Sequence, residues 1–285
     1  MNRRNGKRKK TVGLIFMLPS LIGVICILVI PYINVIFYAF INVWNRKFVG
    51  FDNFKRVILN DSFQLAAYNS LKFIVTCIPI LLVLSLIIAV YLHEHVAAIT
   101  NTFKSIFLFP LSIPVVSIVL LWRLLFDDQG FLNGIFNTFS IKGVDWINSK
   151  YSFGILVFSY LWKNLGYSIV LWLAGLSTIP KQIYEAARVD GAGDKECFCY
   201  ITLPNLRSTL FVTMVISIIN SFKIFREAYL LAGDYPNKSI YMLQHLFNNW
   251  FRDLDIEKMS AGATLLSIIL LVPIVALYKC WNTKE

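Results

Sequence analysis

From Thr11 to Asn45 the chain carries no charged side chain. About 20 mostly apolar residues already cross a bilayer, so a stretch of this length constrains the fold more than any other feature of the sequence. Comparable apolar runs recur, and they place spans near Val12 to Phe40 (with Pro19 and Pro31), Tyr68 to Leu92, Phe103 to Phe126, Phe153 to Leu176, Thr209 to Leu231 and Ser260 to Lys279. With 57% hydrophobic residues and a mean hydropathy of +0.65, the chain exceeds the roughly 45–50% usual for a soluble domain. The expected fold class is all-α, a polytopic membrane protein with six transmembrane helices. No low-complexity linker or clear internal repeat divides it, and no loop is long enough for a second sizeable domain.

The net charge of +11 does not point to nucleic acid, because the basic residues gather at the ends of apolar runs and not on an independent polar domain. Arg3, Arg4, Lys7, Arg8, Lys9 and Lys10 precede the first run. That run is far longer than the 7–15 apolar residues of a signal peptide and has no small-x-small cleavage site early in it, so a retained first helix is expected. The same cations hold the N-terminus in the cytoplasm, and an even number of spans returns the C-terminus there. Outer loops then fall near Ile41 to Ala67, Asp127 to Ser152 and Ala232 to Met259, and a cytoplasmic turn near His93 to Asn101.

Catalytic chemistry finds no candidate residues. There is no G-x-x-x-x-G-K-[ST] phosphate loop, no G-x-S-x-G elbow and no H-E-x-x-H pair, so any energy input comes from a partner. Cys26, Cys77 and Cys280 lie in apolar runs, Cys197 and Cys199 lack a second Cys/His pair, and His93-Glu94-His95 has no further ligand cluster; no metal site is expected.

One polar island interrupts the apolar runs: EAARVDGAGDKECFCYITLP, Glu185 to Pro204. Its pattern predicts a short helix, a glycine break and a second short helix. Thr178 is placed to cap the first, Pro180 sits where a missing N–H does no harm, and Lys181 and Glu185 fall one turn apart. Asp190-Gly191 ends it, Gly191 and Gly193 allow positive φ, and Asp190 can bond its own backbone in the turn. Phe198, Ile201 and Leu203 give the second arm an apolar edge, and Pro204 closes it.

Glu185, Ala186, Ala187, Asp190, Gly191, Ala192, Phe198, Ile201, Leu203 and Pro204 together resemble the EAA loop of ATP-binding-cassette (ABC) importer permeases, the group with a MetI-like transmembrane domain. The family often places another proline where this chain has Ser208, which leaves the start of the next helix less sharply set. Weaker patches extend the resemblance to the carbohydrate-uptake class that includes maltose and glycerol-3-phosphate permeases: Leu18-Pro19-Ser20, Pro31, Asn53-Phe54, Ser221 to Phe225, Tyr229 to Leu231, Gly233, Pro236 and Ser239. The resemblance implies a type I ABC importer permease fold. It divides the chain into residues 1–66, with the basic N-terminus, first helix and first outer loop, and a five-helix core over 67–281 containing the coupling loop 177–207. It implies a bacterial plasma or inner membrane location, a second and different permease subunit, two ATPase subunits carrying ATP and magnesium, and an extracytoplasmic solute-binding protein. The chain itself is then not an enzyme and binds no cofactor. In the loop, Glu185 would meet a basic partner residue, Ala186 and Ala187 would allow close approach, and Gly191 would set the angle between the arms.

A second set of residues is out of place in lipid. Lys163 sits roughly 15 Å into the fourth run at about 1.5 Å per residue, where a lysine costs about 2.5–3.5 kcal/mol. Tyr160, Asn164 and Tyr167 share nearly its helical face. In the fifth run Thr213, Ser217, Asn220, Lys223 and Glu227 form one stripe, and Lys223 and Glu227 are spaced to pair. These residues are either a substrate pathway or interhelical glue. Hydroxyls, amides and aromatics suit a sugar but do not select one. A polyol phosphate held by Lys163, Lys223 and Arg226 is the nearest alternative cargo, and a secondary transporter or membrane scaffold the alternative from another class.

Overall fold

Proline placement decides where the apolar runs stay straight. The computed structural model describes residues 16–93 and 97–282, so the cations Arg3 to Lys10, the expected start of the first span at Val12, and Glu94-His95 lie outside the described residues. The first helix, α1 (Phe16–Ala39), widens over Ile25–Val29, where Ile30 N–H reaches back five residues to Ile25 O. Pro31 follows at once; having no N–H, it cannot complete the regular ladder. A short helix α2 (Asp52–Ile58) precedes α3 (Asp61–His93), which starts seven residues before the expected Tyr68 and carries Pro79 inside it.

The third expected span is not one helix. The chain runs as α4 (Ala97–Ser112) and α5 (Val115–Phe126), and the axes of Thr102–Ser112 and Val115–Thr138 differ by 91°. Pro114 is extended (φ −57°, ψ 140°), and a residue before proline is itself pushed out of the helical region. After the short α6 (Phe131–Thr138) comes α7 (Ser152–Leu176), then the polar island, then α10 (Arg207–Lys223) and α11 (Phe225–Ala232), separated at Ile224. Ser208 in place of proline does not blur the start of α10, which begins at Arg207. The chain ends in α12 (Leu243–Arg252) and α13 (Ile256–Asn282), the latter covering the sixth expected run. Among the described residues, Phe16–Ala39, Asp61–His93, Ser152–Leu176 and Arg207–Ala232 are each long and apolar enough to cross a membrane, and the bent pair, counted as one span, is a fifth. The architecture is the expected all-α one; among the described residues the extended pairing is a single antiparallel bridge, Ile41 to Phe48, between α1 and α2.

The chain forms two compact units. In the first, residues 1–63 and 247–285, α13 packs on α1 and α2. Its anchor is Asn53, 1% exposed, whose amide donates to Ala39 O (3.2 Å) and Ile41 O (2.9 Å) and so ties α2 to the end of α1. Phe40, Phe51 and Phe54 pack around this corner, and Glu257 of α13 accepts Val43 N–H at 2.8 Å.

In the second unit, residues 64–246, α7 is the central post, touching α4 on one side and α10 on the other. Gly166 makes the α4 contact possible: a Cβ there would stand 2.0 Å from Phe107 O, so any side chain would force the helices apart. Buried indoles have found partners, as tryptophan in an apolar setting must: Trp172 donates to Ser85 Oγ (3.0 Å) and Trp122 to Ser159 Oγ (2.9 Å). Arg123 caps α11, its guanidinium donating to Leu230 O and Leu231 O at 3.0 and 3.2 Å.

Candidate functional site

The polar island folds as two arms around one glycine. The first arm is α8 (Lys181–Val189). Pro180 is its N-cap, and Thr178 does not cap it: the Thr178 hydroxyl donates instead to Gly175 O at 2.7 Å, finishing the preceding helix. Gly191 reverses the chain at φ +90°, with its N–H on Arg188 O and Ala192 N–H on Ala187 O. Gly193, expected to share that freedom, is instead an extended N-cap (φ −80°, ψ 173°) whose N–H donates to Glu196 Oε2 at 2.6 Å. The second arm, α9 (residues 194–205), begins at Asp194–Glu196 and widens over Cys197–Thr202 before Leu203–Asn205.

Two contacts that the sequence did not announce hold the arms together. Tyr184 of α8 and Thr202 of α9 share a hydroxyl hydrogen bond of 2.8 Å, and Arg188 meets Asp194 Oδ1 at 3.2 Å. The buried positions of the second arm are Cys197 and Thr202, with Leu206 just beyond; Phe198, Ile201 and Pro204 are half-buried and Leu203 is exposed. Glu185, Ala186, Asp190 and Gly191 are exposed, and Ala187 and Ala192 half-buried. The island therefore presents an acidic residue, small side chains and a glycine turn on a scaffold braced from behind.

The second constellation lies where α7 meets α10 and α11. Lys163 Nζ donates to Glu227 Oε1 at 2.6 Å, with the two side chains 19% and 3% exposed. Three residues before Lys163, the buried Tyr160 donates its hydroxyl to Ser217 O at 2.7 Å, and Asn164 donates to Tyr160 O at 2.9 Å. Tyr167 is half-buried one turn further on. This geometry corrects one expected pairing. Lys223 does not reach Glu227; it is exposed and donates to Asn220 Oδ1 at 2.9 Å. The interruption at Ile224 divides the stripe, and a buried carboxylate takes the cation that shares its low-dielectric surroundings. Thr213 and Ser217 are buried and donate to the carbonyls one turn back, Thr209 O and Thr213 O. Of the three cations considered for a phosphate cargo, Lys163 has its charge balanced by an ion pair, while Lys223 gives one donor to a neutral amide.

Beside the seam, at the end of the same unit, stands a residue no sequence pattern singled out. His245 is fully buried, edge-on to Phe225 at 4.8 Å, and its Nδ1 accepts Met242 N–H at 3.3 Å. Burial pushes its pKa down to about 4, outweighing the pull of Asp234 in the other direction.

Residues 66–283 match the family model described as the binding-protein-dependent transport system inner membrane component. The chain belongs to this family of ABC transporter permeases. Among its relatives, the arabinooligosaccharides transport system permease protein AraP of Halalkalibacterium halodurans is 30% identical over 97% of this chain and 90% of the relative. AraP of Bacillus subtilis is 28% identical over 94% and 88%. The trehalose/maltose transport system permease protein MalF of Thermococcus litoralis is 26% identical over 95% and 93%. Among solved structures, a chain of a bacterial ABC transporter involved in the import of the acidic polysaccharide alginate superposes with a TM-score of 0.83 at 20% identity, covering 99% of both chains. The permease therefore has the type I importer fold that its EAA-like loop implied.

Proposed function

We propose that this permease forms, with a second and different permease subunit, the membrane passage of an importer for a sugar or oligosaccharide, and that its polar island is the loop through which two ATPase subunits drive it. The cargo would be handed over by an extracytoplasmic binding protein, and the island and both termini would face the cytoplasm. What supports the cargo class is that the relatives named above are sugar and oligosaccharide permeases over nearly the whole chain, and that Lys163, the deepest of the cations a polyol phosphate would need, is already paired with a carboxylate. The observation that carries the coupling role is the island's construction. An exposed acidic residue on a short helix, a glycine held at positive φ and a second arm braced by Tyr184–Thr202 make a projection stiff enough to transmit a push. ATP and magnesium would belong to the partner, which fits the absence of a phosphate-binding loop in this sequence.

The test is co-purification from native membranes followed by mass spectrometry, with uptake of labelled saccharides in vesicles containing the recovered complex. A second permease, an ATPase and a saccharide-loaded binding protein are expected. Recovery of a working transporter that lacks an ATPase would sink the reading.

A further inference from the structure

The Lys163–Glu227 pair has a property that packing alone does not require. Glu227 uses only one carboxylate oxygen on Lys163; the other, Oε2, is buried and has no hydrogen-bond partner among the described residues. A carboxylate chosen purely as glue would be expected to satisfy both oxygens. Lys163 is the more open partner, at 19% exposure against 3%, and an ammonium has three donors, of which this pair engages one. Charge is thus cancelled from the buried side, while the accessible side keeps hydrogen-bond donors. The phenol of Tyr160 and the amide of Asn164, both within one turn of Lys163, are fixed on backbone carbonyls and add no charge.

We propose that Glu227 is a specificity-determining residue: by balancing the charge of Lys163 from behind, it turns a cation that would capture anions into a charge-balanced donor surface suited to the hydroxyls of a neutral saccharide. The proposal rests on the sugar-importer reading for the identity of the cargo, but not for the charge logic. A lysine at this depth without a counter-ion is the natural seat for a phosphate or carboxylate. With Glu227 in place, an anion entering the seam would add an unbalanced negative charge in a poorly screened setting.

The experiment uses the assembled transporter purified in detergent, with inorganic phosphate as the probe and thermal unfolding as the readout, at constant ionic strength set with chloride. With the nucleotide sites of the ATPase subunits held throughout by a non-hydrolysable ATP analogue, wild type should show no saturable phosphate response. Glu227→Gln keeps the size and a hydrogen-bonding oxygen but frees the Lys163 charge, and should bind phosphate at least about tenfold more tightly than wild type. Lys163→Met in the Glu227→Gln background should abolish the response. A purely structural pair would lower the unfolding temperature in Glu227→Gln without making it phosphate-dependent, and that result would overturn the proposal. So would a saturable phosphate response in wild type that disappears in Lys163→Met, a measurement available even if Glu227→Gln does not assemble. Uptake of labelled arabinotriose and maltotriose is followed in vesicles with the same complex. Absence of saccharide uptake by wild type, alongside a phosphate response confined to Glu227→Gln, removes the sugar reading and leaves the charge assignment standing. Saccharide uptake without that phosphate response does the reverse.

Discussion

The polar island and the intramembrane seam use charge in opposite ways. On the island, Arg188 and Asp194 face each other with side chains 65% and 92% exposed, and the turn between the arms depends on the backbone of Gly191. In the seam, Lys163 and Glu227 are largely enclosed, so solvent is poorly placed to take over if one partner is lost. Exposed ion pairs are weak because solvent and salt do most of the stabilising either way. Enclosed ones contribute little as intact pairs but are costly to break. In one region removal of a charge should be nearly silent while backbone geometry is critical, and in the other a single charge should be decisive.

The largest effect is expected of Glu227→Leu, which leaves Lys163 facing an apolar group. Removing one partner of a buried pair costs about 3–5 kcal/mol, and the partial exposure of Lys163 puts the expectation at the lower end. The assembled complex should be strongly depleted from the membrane, as read by quantitative immunoblotting and by its unfolding temperature in detergent. Lys163→Met combined with Glu227→Leu should recover most of the loss, because two apolar groups replace two charges. Equal instability in the single and double variants would show that the carboxylate matters for something other than its cation.

Next in size is the turn. A Cβ at Gly191 meets nothing within 4 Å, so the main effect of Gly191→Val is expected from φ +90°, at a cost of about 1–3 kcal/mol. Membrane levels should stay near wild type while uptake and ATPase co-purification fall together. Glu185→Lys is expected to give the same uncoupled behaviour, since like charges across a partly desolvated contact cost several kcal/mol. Normal uptake by both variants at equal membrane levels would end the coupling role.

How much of this was legible in the sequence follows from the range of the forces involved. The runs of apolar residues and the Asp190-Gly191 reversal depend on local chemistry, and they appear where composition and turn preference put them. The bend at Pro114 was written in the sequence as Ile113-Pro114 but was masked by uninterrupted hydrophobicity. Thr178 reads as a cap for the helix ahead, but a hydroxyl near a helix boundary can as readily close the helix behind it. Lys163 stands out by its depth, yet its partner does not, because Glu227 lies 64 residues away and a nearer cation, Lys223, has ideal spacing to that carboxylate. Tyr184 and Thr202 lacked any signal, being ordinary residues until the turn brings them together.

The smallest expected effects sharpen the comparison within the island itself. Tyr184→Phe removes one hydroxyl from a partly buried pair and leaves Thr202, 5% exposed, with only its longer 3.4 Å bond to Cys197 O, a loss of about 1 kcal/mol. Arg188→Ala removes a guanidinium from an open ion pair and should cost at most about 0.5 kcal/mol. The two contacts span the same turn, so a difference between them isolates burial from connectivity. Local opening of the island, followed by hydrogen exchange at the backbone amides of residues 194–205, should speed up measurably in Tyr184→Phe and stay close to wild type in Arg188→Ala. Raising salt should leave the Tyr184→Phe effect unchanged, because no charge is involved, and should erase whatever small effect Arg188→Ala has. If Arg188→Ala opened the arms more than Tyr184→Phe did, the brace would be electrostatic after all. The island would then resemble the seam in mechanism, and the contrast between solvent-supported and enclosed charge would not describe this permease.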